Sequence, residues 1–249
     1  MPTKAFLATT ALVLCVSSPL AGQETGKPAE RTIAFKSLGK QDSNAQFVAW
    51  YGRAYHVSTR NGGAVLYDQS ASSGFAKYAI PSWMNDSGYG YTASGTLAAD
   101  DFIIPGSGTH TISTVYAAGV ESSAQAFANV IFFDNIKYNK KTGTTTAMVK
   151  AQCPYMPITD TAGDLTVDVS TCNSGRFKAS HDYAVSVQAE SAGGAWYWQT
   201  NQDRVGRPGF WYDYGGIGNG SCYHQLTPIK ICYPTKGWGP DLAFALYGN

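Results

Sequence analysis

From Ala64 onward, apolar and polar side chains alternate along short runs, of which residues 183–189 are the clearest. Because successive side chains of a β-strand point to opposite faces, each run predicts a strand with one core-facing side and one solvent-facing side. Turns that contain Gly or Pro separate the runs, and helical patterns are rare. The pattern predicts an all-β fold, an antiparallel β-sandwich or jelly roll. Further candidate strands are residues 97–104, 111–116, 130–133, 144–152, 165–169, 195–200 and 242–246.

The beginning of the chain has a different pattern. Lys4, an apolar run over residues 5–16 and small residues up to Gly22 follow the order of an export signal, so residues 1–22 are predicted to be a signal peptide. The apolar run is shorter than the roughly 20 residues that a membrane-spanning helix needs, so no membrane span is expected. Residues 23–60 are predicted to be a flexible leader and an uncertain N-terminal segment, and residues 61–249 the β-sandwich domain.

The four cysteines after the predicted signal peptide are Cys153, Cys172, Cys222 and Cys232. An even number in an exported chain indicates disulfides, and three connectivities exist. We favour the local pairs Cys153–Cys172 and Cys222–Cys232, each of which would stabilise the fold by about 2–4 kcal/mol. A zinc site is the alternative, but only His224 lies close to a cysteine, so no metal site is predicted.

The Cys222–Cys232 segment has flanks rich in Gly and Pro. Such a segment forms little regular hydrogen bonding, so we expect a surface loop closed by this disulfide, between the Trp196 strand and a last strand at Leu242. Removal of the disulfide is then expected to loosen the aromatic residues more than the core.

The charge balance excludes one class of partner. Charged residues make up 14% of the chain, and loss of Lys4 with the signal peptide leaves equal numbers of basic and acidic residues. A nucleic-acid-binding protein needs a basic footprint, so no nucleic-acid partner is expected. The predicted signal peptide and disulfides indicate a secreted protein, extracellular or periplasmic.

Aromatic residues are crowded between Trp196 and Trp238. Exposed Trp and Tyr side chains present flat apolar faces with polar tips, which suit stacking on sugar rings, and nearby polar groups can bond to hydroxyls. The alternative is that these side chains pack in the core of the sandwich. The predicted ligand-binding residues are Trp196, Trp198, Trp211, Tyr212, Asp203 and Arg204.

Signals for catalysis are weak, and no catalytic residue is predicted. The sequence contains no G-x-S-x-G, Walker, Rossmann or H-E-x-x-H motif. Ser180, His181 and Asp182 are contiguous, and neighbours on a strand point to opposite faces, so they cannot form a triad by themselves. Asp100 and Asp101 are calcium ligand candidates, but turn capping or solvent exposure is the favoured interpretation, and no cofactor is predicted.

Three groups of stretches carry a family resemblance. They are residues 98–105 with 110–116, residues 183–189 with 195–200, and residues 209–211 and 215–218 with Cys222 and 241–246. Together they resemble a β-sandwich domain that many exported bacterial proteins contain, alone or attached to secreted proteases and surface proteins. The resemblance implies a sandwich fold and extracellular placement, and it implies no established catalytic residue. A polar insert at residues 135–145 departs from the family pattern.

Three functions follow from these patterns. The first is a non-enzymatic module that binds an extracellular glycan or another surface polymer through the aromatic residues. The second is a secreted hydrolase or lyase that acts on a polymer, with acids, His181 or His224 beside Trp196, Trp198 or Trp211. The third is a structural or adhesive surface protein, which would have all of its Trp side chains buried.

Overall fold

A computed structural model describes the chain from residue 63 onward, with gaps. The predictions for residues 1–22 and 23–60 lie outside the described residues. The described ranges are 63–70, 75–85, 94–121, 125–161, 163–172, 175–190, 195–201, 205–214, 222, 225–234 and 239–249.

The described residues form strands joined by short turns, with one short helix, α1, at Ile229–Cys232. No helix in this part of the chain is long and apolar enough to cross a membrane. The strands are β1 Ala64–Asp68, β2 Phe75–Pro81, β3 Trp83–Asn85, β4 Ser94–Ile103, β5 Thr109–His110, β6 Ile112–Ala117, β7 Gly119–Glu121, β8 Phe127–Asn139, β9 Thr144–Thr161, β10 Asp164–Asp168, β11 Phe177–Lys178, β12 Asp182–Glu190, β13 Trp196–Asn201, β14 Phe210–Asp213, β15 Thr227–Pro228, β16 Asp241–Leu242 and β17 Phe244–Gly248.

Eleven strands form one sheet in the order β1-β17-β6-β10-β9-β8-β12-β3-β4-β14-β15, and β12 also pairs with β4. Strand β9 pairs with β8 up to Pro157 and with β10 from Ile158, so it joins two layers of a sandwich. Layer one holds β8, β12, β3, β4, β14 and β15, and layer two holds β1, β17, β6 and β10. A smaller sheet contains β16, β13 and β2, with β7 paired to β13.

The predicted antiparallel β-sandwich is confirmed, with one addition. Strands β3 and β12 run parallel, with Ala189 opposite Trp83, and they are the one parallel pair among the described strands. The other described pairs are antiparallel, including the long β8–β9 hairpin.

The main core lies between the layers. It contains Phe102, Phe132 and Val185 from layer one and Val115 and Leu246 from layer two, all essentially buried. These side chains occupy alternate positions of their strands, as the sequence pattern predicts.

The prediction that the opposite strand faces meet solvent is wrong for the centre of layer one. A second core covers its outer face, and there even Ser186, which alternates with core valines, is fully buried. The second core consists of Leu97, Ala99, Ile131, Phe133, Ile136, Ala184, Phe210, Tyr212 and Leu226.

The cover over this face comes from the predicted polar insert. The pairing register of β8 and β9 shifts on either side of Phe133, and such bulges bend a hairpin. Residues 135–149, which we call the hairpin arm, consequently turn toward the outer face of layer one. There Tyr138, Ala147 and Val149 pack against the second core.

Both predicted disulfides are present, Cys153–Cys172 and Cys222–Cys232, with Cα atoms 5.6 and 5.9 Å apart. Cys222 and Cys232 are fully buried and belong to the main core. The prediction that they close a surface loop is therefore wrong, because Cys232 lies on α1, which packs inward through Ile229.

Candidate functional site

The aromatic residues predicted to bind a ligand are core residues. The relative exposure of Trp196, Trp198 and Trp211 is 0%, and that of Tyr212 is 1%. The three tryptophans belong to the main core, whereas Tyr212 belongs to the second core. None of the four presents a ring face to a sugar, so the alternative of core packing accounts for them.

The polar tips of these tryptophans bond within the fold. The indole N–H groups of Trp196, Trp198 and Trp211 donate to the backbone carbonyls of Gly163, Ala243 and Pro81, at 2.7, 2.9 and 2.8 Å. A buried indole needs such an acceptor, because an unpaired N–H in the core costs free energy. Each tryptophan thereby ties its own strand to a neighbouring segment.

The remaining predicted ligand residues, Asp203 and Arg204, lie outside the described residues. Their described neighbours Gln199 and Asn201 have relative exposures of 0% and 1%. The Asn201 side chain donates to the backbone carbonyl of Gln69 at 3.0 Å, so it supports the chain rather than facing solvent.

Asp100 is fully buried, so the prediction of turn capping or solvent exposure is wrong for it. One carboxylate oxygen accepts hydrogen bonds from the Gln69 amide at 2.8 Å and the Leu242 N–H at 2.6 Å. The other oxygen accepts from the Asp101 N–H at 2.9 Å. Burial, with the nearby charges of Asp241 and Asp101, raises the pKa of Asp100 well above its ordinary value.

Asp101 is 4% exposed and holds the segment around Arg207. It accepts from the Arg207 backbone N–H at 2.9 Å, and its other oxygen lies 3.7 Å from Arg207 Nε. The Arg207 guanidinium also donates to Asp182 at 2.6 Å and to the Ile136 carbonyl at 2.9 Å. Burial raises the pKa of Asp101 to about 6, although the Arg207 charge opposes the shift.

These hydrogen bonds bear on the calcium candidates. N–H donors and a guanidinium surround the carboxylates of Asp100 and Asp101, whereas a calcium ion needs oxygen ligands around it. Among the residues that the structure describes, no three His, Cys, Asp or Glu side chains are grouped so as to hold a metal ion.

The described contacts of His181 are with Asp134 and Tyr183. Its Nε2 is 3.3 Å from Asp134, and its ring packs on Tyr183 at a tilt of 56°, with centroids 4.5 Å apart. His224 lies outside the described residues. The hydrolase hypothesis called for acids, His181 or His224 beside Trp196, Trp198 or Trp211, and it stays a prediction.

Two other aromatic side chains are exposed on the outer face of layer one, near the start of β8. Phe127 is 44% exposed and Tyr155 is 48% exposed. Ala128 and Met156, which are register partners, point into the main core, so Phe127 and Tyr155 point outward by alternation. We call these two residues the outer aromatic pair.

Tyr155 has an unusual backbone conformation, with φ at 51°. This left-handed region costs a residue with a side chain roughly 1–2 kcal/mol. The register shifts between Ala128 and Val130, and in this bulge the Tyr155 N–H donates to the Asn129 side chain at 2.9 Å. Nearby, Cys153 is tied to Cys172. Residues held in such conformations cluster at functional sites.

A row of polar side chains continues from the outer aromatic pair across layer one. Asn129 is the register partner of Gln188, and the Gln188 amide donates to Tyr214 Oη at 2.8 Å and to the Thr96 carbonyl at 2.7 Å. A side chain at Gly95 would come within 2.5 Å of Tyr214 Oη, so glycine leaves room for this phenol. These contacts tie β12 to β4 and to Tyr214 on the outer face of layer one.

No known protein family, curated protein or solved structure matches this chain. The suspected resemblance to the exported β-sandwich domain accordingly stays a prediction. The exposed side chains of the described residues are therefore the remaining indication of a ligand.

The outer aromatic pair was not singled out from the sequence. Phe127 and Tyr155 lie outside the crowded aromatic region, and the bulge that turns Tyr155 outward depends on the pairing of β8 with β9. Two weak signals were present, since Phe127 begins an apolar run and Pro154 and Pro157 flank an aromatic residue.

Proposed function

We propose that this protein is a secreted, non-enzymatic binding module that holds a neutral extracellular polysaccharide against the outer aromatic pair. The observation that supports the proposal is the exposure of Phe127 and Tyr155, 44% and 48%, at the same end of the β8–β9 pairing. Aromatic faces stack on the apolar faces of sugar rings, and a fixed pair of rings costs little conformational entropy on binding.

Polar groups beside the pair support the same ligand class. Glu190 is half-buried, pairs in register with Phe127 across β8 and β12, and points to the same face. A carboxylate at this position can accept hydrogen bonds from sugar hydroxyls. The left-handed backbone of Tyr155 is consistent with the proposal, because the bulge that imposes it also holds this tyrosine at an exposed position.

Export is part of the proposal. Structural disulfides persist in oxidising compartments, and this chain has two. Residues 1–22 have the pattern of a signal peptide. An extracellular or periplasmic position brings the chain into contact with polysaccharides.

The test uses purified protein with insoluble cellulose and chitin and soluble xylan as probes. Phe127→Ala and Tyr155→Gly are each expected to weaken binding roughly tenfold, since each removes one stacking platform. Tyr155→Gly should leave the free energy of unfolding unchanged or raise it by up to about 1 kcal/mol, because glycine tolerates the positive φ. Loss of binding without loss of stability would assign Tyr155 to the ligand.

Ser180→Gly is the matched control for Tyr155→Gly. Ser180 is also exposed at positive φ, 58°, but its hydroxyl donates to the Gly106 carbonyl, away from the pair. Ile103→Ala is the control for Phe127→Ala, since Ile103 is 46% exposed. The proposal fails if the wild type binds none of the probes, or if the two controls weaken binding as much as the changes in the pair.

A further inference from the structure

The hairpin arm is strongly basic. Residues 135–149 contain Lys137, Lys140 and Lys141 and no acidic residue, and Lys150 follows directly. Lys137, Lys140 and Lys141 are exposed, whereas Lys150 lies at the base of the arm over the rings of Phe177 and Tyr183. The three exposed lysines lie within five positions of one another, at and beside the turn of the hairpin.

The two faces of the arm differ in character. Ile136 is fully buried, and Tyr138 and Val149 pack inward on the second core. The opposite face is exposed to solvent, and Met148 is 41% exposed there. The exposed side chains of that face are Lys137, Asn139, Thr144, Thr146 and Met148.

The tip of the arm is fixed to the body of the protein. The Thr145 N–H donates to the Gln225 side chain at 2.8 Å, and the Thr145 hydroxyl donates to the Leu226 carbonyl. The Gln225 amide in turn donates to the Gly143 carbonyl. Because these bonds hold the turn and the β9 strand of the arm, its lysines project from a fixed support.

The lysines of the arm are not neutralised by nearby acids. Asp134, at the base, lies 3.3 Å from His181, and Asp182 is bonded to Arg207. Within the described ranges, no ion pair includes Lys137, Lys140 or Lys141. The arm therefore presents net positive charge on a chain whose total charge is only +1.

We propose that the exposed face of the hairpin arm binds a linear anionic polysaccharide, one that bears carboxylate or sulfate groups. Lys137 and the Lys140–Lys141 turn lie along the axis of the arm, separated by about 10 Å at the rise of a β-strand. On the facing strand, Thr146 lies opposite Lys137 and Thr144 opposite Asn139, and the hydroxyls of both can bond to sugar hydroxyls. This site is distinct from the outer aromatic pair and does not depend on the function proposed for it.

A linear polysaccharide fits this face better than the other anionic partners. A membrane surface is held by an extended apolar face or a lipid chain in addition to charge, and the arm exposes only one large apolar side chain, Met148. A nucleic acid calls for a strongly basic domain, whereas this chain has a pI of about 7.6. The cations here form a short row rather than a broad patch.

The test measures binding to polygalacturonate, heparin and uncharged dextran by calorimetry at several salt concentrations. The wild type is expected to bind one or both anionic polymers and not dextran, with affinity that falls as salt rises. The variant Lys137→Gln/Lys140→Gln should lose roughly tenfold or more in affinity and show a shallower salt dependence. Its unfolding midpoint should not change, since both side chains are exposed.

Lys178→Glu is the matched control, because it lowers the net charge by the same amount at an exposed position outside the arm, on β11. An equal loss of affinity in this control would show that net charge alone attracts the polymer, and would overturn the proposal. So would tighter binding to phosphatidylserine vesicles or single-stranded DNA than to either polymer. Phe127→Ala should retain the wild-type affinity for the anionic polymer, which separates this site from the outer aromatic pair.

Discussion

The aromatic residues first predicted to bind a ligand and the outer aromatic pair differ in how far their side chains are buried. Trp196, Trp198 and Trp211 donate their indole N–H to backbone carbonyls inside the fold. Phe127 and Tyr155 have side chains that are nearly half exposed. Composition could not separate the groups, because both contain the same flat rings and exposure depends on what the rest of the chain places against them.

Trp211→Ala should lower the free energy of unfolding by about 3–5 kcal/mol. The ring is fully buried, packs on Tyr233 with centroids 5.2 Å apart, and bonds to the Pro81 carbonyl, so truncation leaves a cavity and an unpaired acceptor. Urea denaturation measures the change. Val65→Ala, at a 53% exposed side chain, should cost less than about 0.5 kcal/mol. A loss below about 1 kcal/mol for Trp211→Ala would contradict its placement in the core.

The segment of residues 205–209 is held to the sandwich by acidic residues on three strands. Asp101 of β4 and Asp182 of β12 bind Arg207, and Asp241 of β16 accepts from the Val205 N–H. A side chain at Gly206, where φ is 91°, would come within 2.7 Å of an Asp101 oxygen, so glycine permits this close approach. Protonation of one of these buried carboxylates thus changes the contacts between this segment and the strands that hold it.

Stability should rise as the pH falls from about 7 toward 4. Burial raises the pKa of Asp101 to about 6 from an ordinary value of 3.8, so between these values the native state binds more protons than the unfolded state. The raised pKa of Asp100 acts in the same direction. Urea denaturation across this pH range measures the trend, and Asp101→Asn should flatten it. If the free energy of unfolding of Asp101→Asn varied with pH as steeply as that of the wild type, Asp101 would not contribute to the pH dependence.

Strand β12 shows which features of the fold the sequence pattern could predict and which it could not. Its alternation predicted the strand and the core-facing positions Val185 and Val187, because these depend only on the period of a strand. The pattern could not predict that Ser186 and Gln188 on the other face are buried, since the hairpin arm and Tyr214 reach them from distant parts of the chain. The local disulfides were predictable because each closes a short loop, whereas the bulge at Tyr155 arises from pairing between strands.

The disulfides contribute to the stability of the whole sandwich. Cys153 lies on β9, which joins the layers, and Cys222 and Cys232 lie in the main core. The sequence separations of 19 and 10 residues are those of short loops.

Cys222→Ala/Cys232→Ala should destabilise the entire fold, by about 2–4 kcal/mol, in one cooperative transition. Calorimetry of the variant, together with hydrogen exchange on β12 and β17, measures how widely the effect spreads. Non-reducing peptide mapping of the wild type should recover the pairs Cys153–Cys172 and Cys222–Cys232. Loosening confined to residues around Cys222, with no change in the protection of β12, would contradict this expectation.

The position of β17 has a consequence for how the protein acquires its structure. Phe244–Gly248 pairs with β1 on one side and β6 on the other, so Ala64 is joined to Gly248 across nearly the whole described chain. Layer two cannot close until β17 has been synthesised, and contacts so distant in sequence slow folding. We expect a growing chain to stay unfolded while it leaves the ribosome, which is the state in which export machineries thread a polypeptide through a membrane.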